Sequence, residues 1–190
     1  SLEPILGAYD EPYANSSVVA AHRVFQMARG LGKRILLTGD GGDEMLAGYR
    51  RYRFDLAEAS IRAMCPAWLR RSTVGVAGML YPKADWLPRP LRAKATLRNL
   101  ACDDITAHLQ SVSLSGGTLP GMLLPPEYRS QLAGYDPFTR GRDLFARCSS
   151  SLLNRLLYVD MKTLMADDIL TKVDRASMAV GLEVRTPLLD

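Results

Sequence analysis

A short apolar run that ends in a glycine-rich acidic turn constrains this chain more than any other feature. Ile35–Leu37 has the composition of a strand buried in a parallel sheet, and it stops at Thr38-Gly39. Three carboxylates then crowd into five residues around two adjacent glycines, at Asp40, Asp43 and Glu44. Open α/β sheets bind phosphate-bearing ligands at such strand ends.

The residue types of this turn leave two interpretations open. Clustered carboxylates repel one another unless a cation lies among them, and Mg²⁺ prefers oxygen ligands of this kind. Glycines let the backbone approach a ligand and adopt positive φ. The other interpretation is an acidic loop whose charges favour the first turn of the following helix.

Two further motifs lie near the chain ends. Residues 10–17 read Asp-Glu-Pro-Tyr-Ala-Asn-Ser-Ser. Residues 174–190 run from an Asp-Arg pair through Gly-Leu-Glu-Val-Arg to Thr-Pro-Leu-Leu-Asp. Glu183 and Arg185 alternate, so we expect them to share one face of an extended segment.

Together the three stretches resemble the synthetase domain of glutamine-dependent asparagine synthetases. That family has a Ser/Thr-Gly-Glu/Asp-Gly-x-Asp-Glu loop followed by Gly-Tyr, matched here by residues 38–44 with Gly48 and Tyr49. Its Asp-Glu-Pro-Phe-Ala-Asp-x-Ser segment is similar to residues 10–17, and its Leu-Glu-x-Arg-x-Pro-Phe/Leu-Leu-Asp block to residues 182–190. Residues 55–155 carry no matching motif.

The resemblance implies a fold and a division of the chain. We expect a predominantly helical α/β fold, part of a PP-loop ATPase-like domain with one or two strands. Residues 1–190 would form a partial synthetase-like domain. Within it, residues 1–52 would be the strand-containing nucleotide-binding part and residues 53–190 the helical part.

The resemblance also implies the chemistry. A substrate carboxylate, aspartate in the family's namesake, attacks the α-phosphate of ATP, and ammonia from glutamine then displaces AMP. ATP and Mg²⁺ are therefore the expected cofactors, and small molecules the expected partners. The positions that match nucleotide contacts are Thr38, Gly39 and Gly41. Asp43 matches the position that helps to hold Mg²⁺.

The matched catalytic positions are Asp40, Tyr49 and Arg185. Asp40 stands where asparagine synthetases have Glu, which sets its carboxylate back by about 1.5 Å and leaves the acceptor open. Tyr49 matches a tyrosine near the acyl-adenylate, although an aromatic residue after a glycine also serves packing. Arg185 has the planar, bidentate donors that suit a phosphate or carboxylate.

Several family segments have no counterpart in this sequence. The pyrophosphate loop, Ser-Gly-Gly-x-Asp-Ser, would precede Asp10, and the segment with a catalytic lysine would follow Asp190. The amidotransferase domain begins with a nucleophilic Cys, where this chain has Ser1. We therefore expect an excised piece of a larger enzyme, inactive in isolation.

The composition of the chain limits the cellular compartment and the kinds of site that it can contain. No run reaches the roughly 18 apolar residues of a membrane span. Cys65, Cys102 and Cys148 are scattered, which argues against disulfides or a zinc site and favours the cytoplasm. His22 and His108 are interpreted as solvated or core-edge residues rather than catalysts. A lone buried strand leaves backbone groups unpaired, so we expect a homo-oligomer.

A basic stretch is interpreted as a solvated helical face, or as a face that met a missing part of the protein, and it leaves a different class of function open. Residues 50–98 hold eleven Arg or Lys against three acids. Such charge suits an acidic partner, a membrane surface or nucleic acid, but the absence of regular aromatic interleaving argues against nucleic acid. The alternatives to an asparagine synthetase are thus a helical binding or assembly module, or a related amidotransferase acting on a glycan, peptide or β-lactam precursor.

Helical patterns fill the rest. Ser16 or Ser17 caps a helix to about Leu31, whose apolar stripe is Ala20, Val24, Met27 and Leu31. Further helices are predicted near 54–65, 67–81, 90–101, 104–113, 126–133 and 150–165, with a loop over 115–127. Asp167 or Asp168 is predicted to cap a last helix over 168–180, and a second strand is expected at 183–186.

Overall fold

The computed structural model describes residues 3–11, 13, 15–70, 72, 77, 94–113, 123–132 and 134–190. Contacts divide the chain into two compact units, the first formed by Ser1–Gly48 with Val159–Asp190 and the second by Tyr49–Tyr158. The predicted boundary between residues 52 and 53 assigns residues 159–190 to the helical part, whereas the contacts place them in the first unit. The domain assignment itself stays a prediction.

The predicted helical α/β fold class is confirmed. The chain begins with α1 (Glu3–Leu6), α2 (Ser17–Gly30), β1 (Ile35–Leu37) and α3 (Gly42–Leu46). Next come α4 (Arg50–Met64), α5 (Ala67–Leu69), α6 (Lys94–Ala101), α7 (Asp104–Val112), α8 (Pro126–Gln131), α9 (Thr139–Arg147) and α10 (Leu152–Asp160). The chain ends with a π-helix (Met161–Leu170), α11 (Thr171–Met178), β2 (Glu183–Arg185) and a 3₁₀ turn (Pro187–Leu189). Most of the predicted 67–81 helix beyond α5 and most of the predicted 115–127 loop lie outside the described residues.

The two described strands form a parallel pair in the first unit. Ile35 is opposite Glu183, and Leu37 is opposite Arg185. Leu36 and Val184, between them, pack against the core. The buried members of that core come from both ends of the chain, namely Ile5, Val18, Phe25, Val173, Ala176 and Leu182. Both expected strands are therefore confirmed, and they join the acidic turn to the C-terminal motif.

Two expectations about burial in this unit are wrong. Ile35 and Leu37 are 46% and 66% exposed, so β1 is covered on one face only. The predicted α2 stripe also faces outward, since Val24 and Met27 are 53% and 67% exposed. The face of α2 that packs inward carries Val18, His22 and Phe25, because this is the face that meets α11.

The buried histidine on α2 corrects another expectation. His22 is 3% exposed, and its Nδ1 lies 3.3 Å from the carbonyl oxygen of Ala176 on α11. His108 is fully buried in the second unit. Both histidines are thus core residues, and neither is at a solvated edge.

The exposed apolar surface of the first unit leads to a prediction about association. The isolated 190-residue chain should form dimers or larger species as its concentration rises, because Leu37 and Met27 are exposed and one edge of β1 has no strand beside it among the described residues, so it can pair with another strand. Light scattering coupled to size exclusion measures this. Leu37→Lys should weaken the association, and a monomer at every concentration would contradict the prediction.

Several charged or ionisable side chains are buried among the helices of the second unit. His108 Nδ1 is 2.7 Å from Asp55 Oδ2, and the Tyr52 ring stacks on the imidazole. Arg62 Nε donates to Asp104 Oδ1 at 2.7 Å, while Arg62 also pairs with Glu58. Burial raises the pKa of the Glu58 carboxyl, and the Arg62 charge opposes that rise.

These pairs explain part of the basic stretch. Asp55 and Glu58 point into the unit, so two of the three acids of residues 50–98 are withdrawn from the surface. Arg50 and Arg53 remain exposed on α4, where they line a cleft of about 320 Å³ together with Phe54 and Ala57. Among the described residues, no helix is long and apolar enough to cross a membrane.

The predicted helix start at Asp167 or Asp168 is wrong. α10, the π-helix and α11 follow one another without a break from Leu152 to Met178. Asp168 does not cap a helix N-terminus, because it lies inside the π-helix. Its carboxylate accepts hydrogen bonds from the side chains of Tyr13 and Asn15. Gly181, which follows the end of α11, adopts the left-handed region, with φ of +64°.

Candidate functional site

The loop after β1 is held by backbone bonds to the other strand and within itself. The Thr38 amide donates to the carbonyl oxygen of Arg185 at 2.9 Å, which carries the parallel pairing one residue past β1. The Gly42 amide donates to Gly39 at 3.3 Å, and the Met45 amide to Gly41 at 2.9 Å. The chain therefore turns within four residues from the strand into α3.

Gly41 makes this turn possible for two reasons. Its φ of +91° is in the left-handed region that side chains disfavour. A Cβ on Gly41 would also lie 2.4 Å from Leu189 Cδ2, and one on Gly42 would lie 3.1 Å from Leu188 Cδ1. The C-terminal leucines thus pack directly against the bare Cα atoms of both glycines.

The sequence interpretation missed this leucine contact. The resemblance assigns Gly41 a nucleotide contact, which stays a prediction, and it gives no sign that Leu189 fills the space beside the Gly41 Cα. The pair of adjacent glycines was the signal in the sequence that could have indicated this contact. One glycine suffices for a turn, whereas two in succession indicate that another part of the chain packs closely against the backbone. The partner lies about 150 residues away along the chain, so nothing local identifies it.

Thr38 has a hydroxyl group whose partner is not among the described residues. Its Oγ1 is buried and makes no hydrogen bond to any of them. A buried polar group without a partner costs free energy, so such groups in native structures call for an explanation such as a ligand or ordered water. This position is where the resemblance implies a nucleotide contact.

Asp43 is the exposed carboxylate of the turn. It lies in the first turn of α3, and the backbone oxygen of Asp43 accepts from the Gly48 amide at 2.9 Å. A Cβ on Gly48 would be only 1.9 Å from Asp43 Oδ1, so glycine at this position gives the carboxylate its place. Glu44, the next residue, is 1% exposed and points into the unit.

The carboxylates of the turn can supply only part of a magnesium site. Within the described ranges, no three His, Cys, Asp or Glu side chains lie together as a metal-binding group. Mg²⁺ commonly takes only one or two protein carboxylates and completes its octahedron with substrate phosphates and water. The exposed Asp43 carboxylate fits the role of one such ligand.

Arg185 reaches the loop through its backbone, and its side chain has another partner. Its carbonyl oxygen accepts from Thr38, whereas its Nε donates to Glu183 Oε1 at 2.8 Å. Both side chains of that pair are more than half exposed. The first unit therefore brings the turn and the backbone of Arg185 together through strand pairing. Asp40, at the start of the turn, is partly buried.

Tyr49 begins the second unit, where it has its own set of neighbours. It precedes the first residue of α4, and the guanidinium carbon of Arg51 lies 3.9 Å from the centre of its ring. The Tyr52 ring is tilted against it at 6.0 Å. A cation over an aromatic face is stabilising, so these contacts fix the orientation of the Tyr49 ring.

Comparison with protein families gives a match over the full sequence. The family described as "Asparagine synthase" matches residues 1–190. The match therefore includes the acidic turn, the N-terminal motif and the C-terminal block. No solved structure matches the chain.

Curated proteins with similar sequences carry asparagine synthetase names. Asparagine synthetase [glutamine-hydrolyzing] 1 of Bacillus subtilis (strain 168) is 28% identical over 194 residues, covering 100% of this chain and 28% of the relative. A putative asparagine synthetase [glutamine-hydrolyzing] of Mycobacterium tuberculosis (strain ATCC 25618 / H37Rv) is 30% identical over 203 residues, covering 100% of this chain and 27% of the relative. The chain thus spans little more than a quarter of the length of these relatives.

Proposed function

Because the chain belongs to the asparagine synthase family, we propose that it is part of an ATP-dependent ligase that forms an amide from a carboxylate. Its proposed acceptor is aspartate, and its proposed nitrogen source is ammonia from glutamine, as the names of its relatives suggest. The three free cysteines are consistent with a proposed place in the cytoplasm.

One observation carries the proposal beyond family membership. The loop after β1 presents an exposed carboxylate at Asp43 and a buried, unpartnered hydroxyl at Thr38 among the described residues. A strand end followed by a short helix is where α/β proteins bind phosphate-bearing ligands. The two groups have the chemistry that a nucleotide and its metal ion require.

The proposed roles follow from the groups in the loop. The Thr38 hydroxyl and the backbone around Gly39 and Gly41 contact the nucleotide. Asp43 supplies one carboxylate to Mg²⁺, which neutralises phosphate charge when bound. The backbone turn holds these groups in advance, so they need little reorganisation when ATP binds.

The remaining roles concern the acceptor. A carboxylate oxygen attacks the α-phosphorus and the bond to pyrophosphate breaks; ammonia then attacks the acyl carbon and AMP leaves with the electron pair. Asp40 takes a proton or contacts the acceptor, and Arg185 binds a carboxylate or phosphate. Tyr49 is proposed as a further residue of the synthesis reaction because its position matches the family motif.

The proposal is tested on the natural full-length protein. We expect pyrophosphate release from ATP that depends on both an acceptor carboxylate and glutamine or ammonium, with formation of the amide. Aspartate should be compared with glutamate and with carboxylates of glycan, peptide and β-lactam precursors, because Asp40 leaves more space than Glu. Absence of amide formation with every acceptor would favour the helical binding module instead.

The isolated chain should show no turnover in the same assay. Its described residues offer one exposed carboxylate near the proposed phosphate position, and adenylation needs the whole phosphate and metal environment placed together. Pyrophosphate release is measured with ATP, aspartate and ammonium against a blank without protein. Release above the blank would show that the chain holds a complete site.

A further inference from the structure

The π-helix next to the site is unusual in its length. It covers ten residues, Met161–Leu170, whereas π-helical geometry mostly occurs as single turns and often marks functional sites. One threonine bond crosses each end of it. Thr163 Oγ1 donates to the carbonyl oxygen of Val159 in α10 at 2.8 Å, and Thr171 Oγ1 in α11 donates to the carbonyl oxygen of Ala166 at 3.1 Å. Such a long widened segment needs support from outside the helix.

That support comes from the N-terminal motif and converges on one carboxylate. The Tyr13 hydroxyl donates to the backbone oxygen of Asp168 at 2.8 Å and also to its Oδ1. Asn15 Nδ2 donates to both carboxylate oxygens at 3.1 Å. Burial and the bond to Asp168 raise the pKa of Tyr13, so its hydroxyl keeps its proton and donates.

The same amide also fixes the start of α2. Asn15 Oδ1 accepts from the Ser17 amide at 3.1 Å and from the Ser17 hydroxyl at 2.7 Å. Asn15 therefore uses both ends of its side chain, one toward α2 and one toward Asp168. Tyr13, Asn15 and Asp168 are called the clamp below.

The π-helix is also in contact with the proposed site. It packs against α3, the five-residue helix that carries Asp43. The clamp thus holds the N-terminal motif to the π-helix, which in turn contacts the helix of the proposed metal ligand. All of these elements belong to the first unit.

We propose that the clamp sets the register of the π-helix and thereby positions α3 and Asp43, an inference that rests on the proposed function. Tyr13, Asn15 and Asp168 are positioning residues, since they act through the helix rather than on substrate. A helix that slips from π to α spacing rotates its side chains relative to α3. Displacements of about 1 Å at a catalytic group can cost roughly 100-fold in rate.

The chain offers a matched pair of variants. Tyr13→Phe removes the donor to Asp168 and keeps the ring that stacks on Tyr9 at 4.5 Å. Tyr9→Phe is the control in the same segment. It removes a hydroxyl that donates to the Lys172 carbonyl oxygen at 3.1 Å, and it leaves the clamp intact. Asp168→Asn completes a double-mutant cycle with Tyr13→Phe.

The experiment uses the full-length protein with two readouts, amide hydrogen exchange and steady-state synthesis kinetics. We expect Tyr13→Phe to accelerate exchange about tenfold in both 161–170 and 42–46, and to lower kcat about tenfold with the KM for ATP within about twofold. Asp168→Asn should act similarly, and the double variant should be little worse than either single variant. Tyr9→Phe should leave both readouts near those of the unaltered protein.

Several results would overturn the inference. Tyr13→Phe and Tyr9→Phe could behave alike, the two clamp substitutions could add fully, or exchange could rise in 161–170 with kcat unchanged. If the unaltered protein forms no amide, the proposed function is wrong, and the exchange rate in 42–46 alone decides the clamp. Faster exchange in 42–46 in Tyr13→Phe and Asp168→Asn, but not in Tyr9→Phe, supports the role of the clamp. Unchanged exchange in 42–46 in those two variants refutes it.

Discussion

Replacing Asp43 by Asn in the full-length protein is expected to abolish ATP-dependent amide synthesis and to spare any glutamine hydrolysis. The substitution keeps the size of the side chain and removes the exposed charge proposed to bind Mg²⁺. Phosphate charge would then be poorly screened in the transition state, and we expect a loss of roughly 100- to 1,000-fold or more in kcat.

Steady-state assays of both half-reactions decide this prediction. Asp143→Asn is the control, because it removes an exposed carboxylate of the same type from α9. It should leave synthesis within about twofold, as surface substitutions usually do little. Unchanged synthesis in Asp43→Asn would mean that Asp43 is only a charge in the first turn of α3.

Gly41→Ala is expected to have the largest effect on stability within the site. A Cβ there meets Leu189 Cδ2 at 2.4 Å, and the φ of +91° is unfavourable for any side chain. The strain of a left-handed residue costs about 1–2 kcal/mol, and overpacking adds about 1–3 kcal/mol. We expect roughly 2–5 kcal/mol of lost stability together with loss of synthesis, because the turn that carries Asp43 must move.

Two companion variants separate the causes. Gly181→Ala tests the dihedral cost alone, since Gly181 has φ of +64° and nothing within 4 Å of an added Cβ. Leu189→Ala in the Gly41→Ala background opens the space that the new methyl group needs. Denaturant unfolding should show Gly181→Ala losing clearly less stability than Gly41→Ala, and partial recovery in the double variant. Equal losses for the two glycines would contradict the leucine contact.

The features predicted correctly from the sequence depend on local pattern. The Ile35–Leu37 strand, the turn into α3 and the second strand at Glu183–Arg185 follow from short runs of characteristic residues. The motif order also identified the family, because each motif lies within a short stretch of chain. Local chemistry was sufficient for these features.

The features missed depend on which distant segments meet. α2 has apolar residues on both sides, so its sequence alone does not indicate that Phe25 rather than Met27 is buried. Asp168 resembles a helix cap, yet its donors are more than 150 residues away in sequence. Leu189 fills the space beside Gly41 from the opposite end of the chain. Such pairings are set by the parallel strands and the packing of α2 on α11.

The central claim is that the full-length protein activates a carboxylate by forming a bond between that carboxylate and the α-phosphorus of ATP. Aspartate labelled with ¹⁸O in its side-chain carboxylate, incubated with ATP, Mg²⁺ and glutamine, tests this bond directly. We predict that the AMP produced carries one labelled oxygen and that pyrophosphate is unlabelled, because the C–O bond breaks when ammonia displaces AMP. Amide formed with unlabelled AMP, or with ADP as the product, would contradict the account.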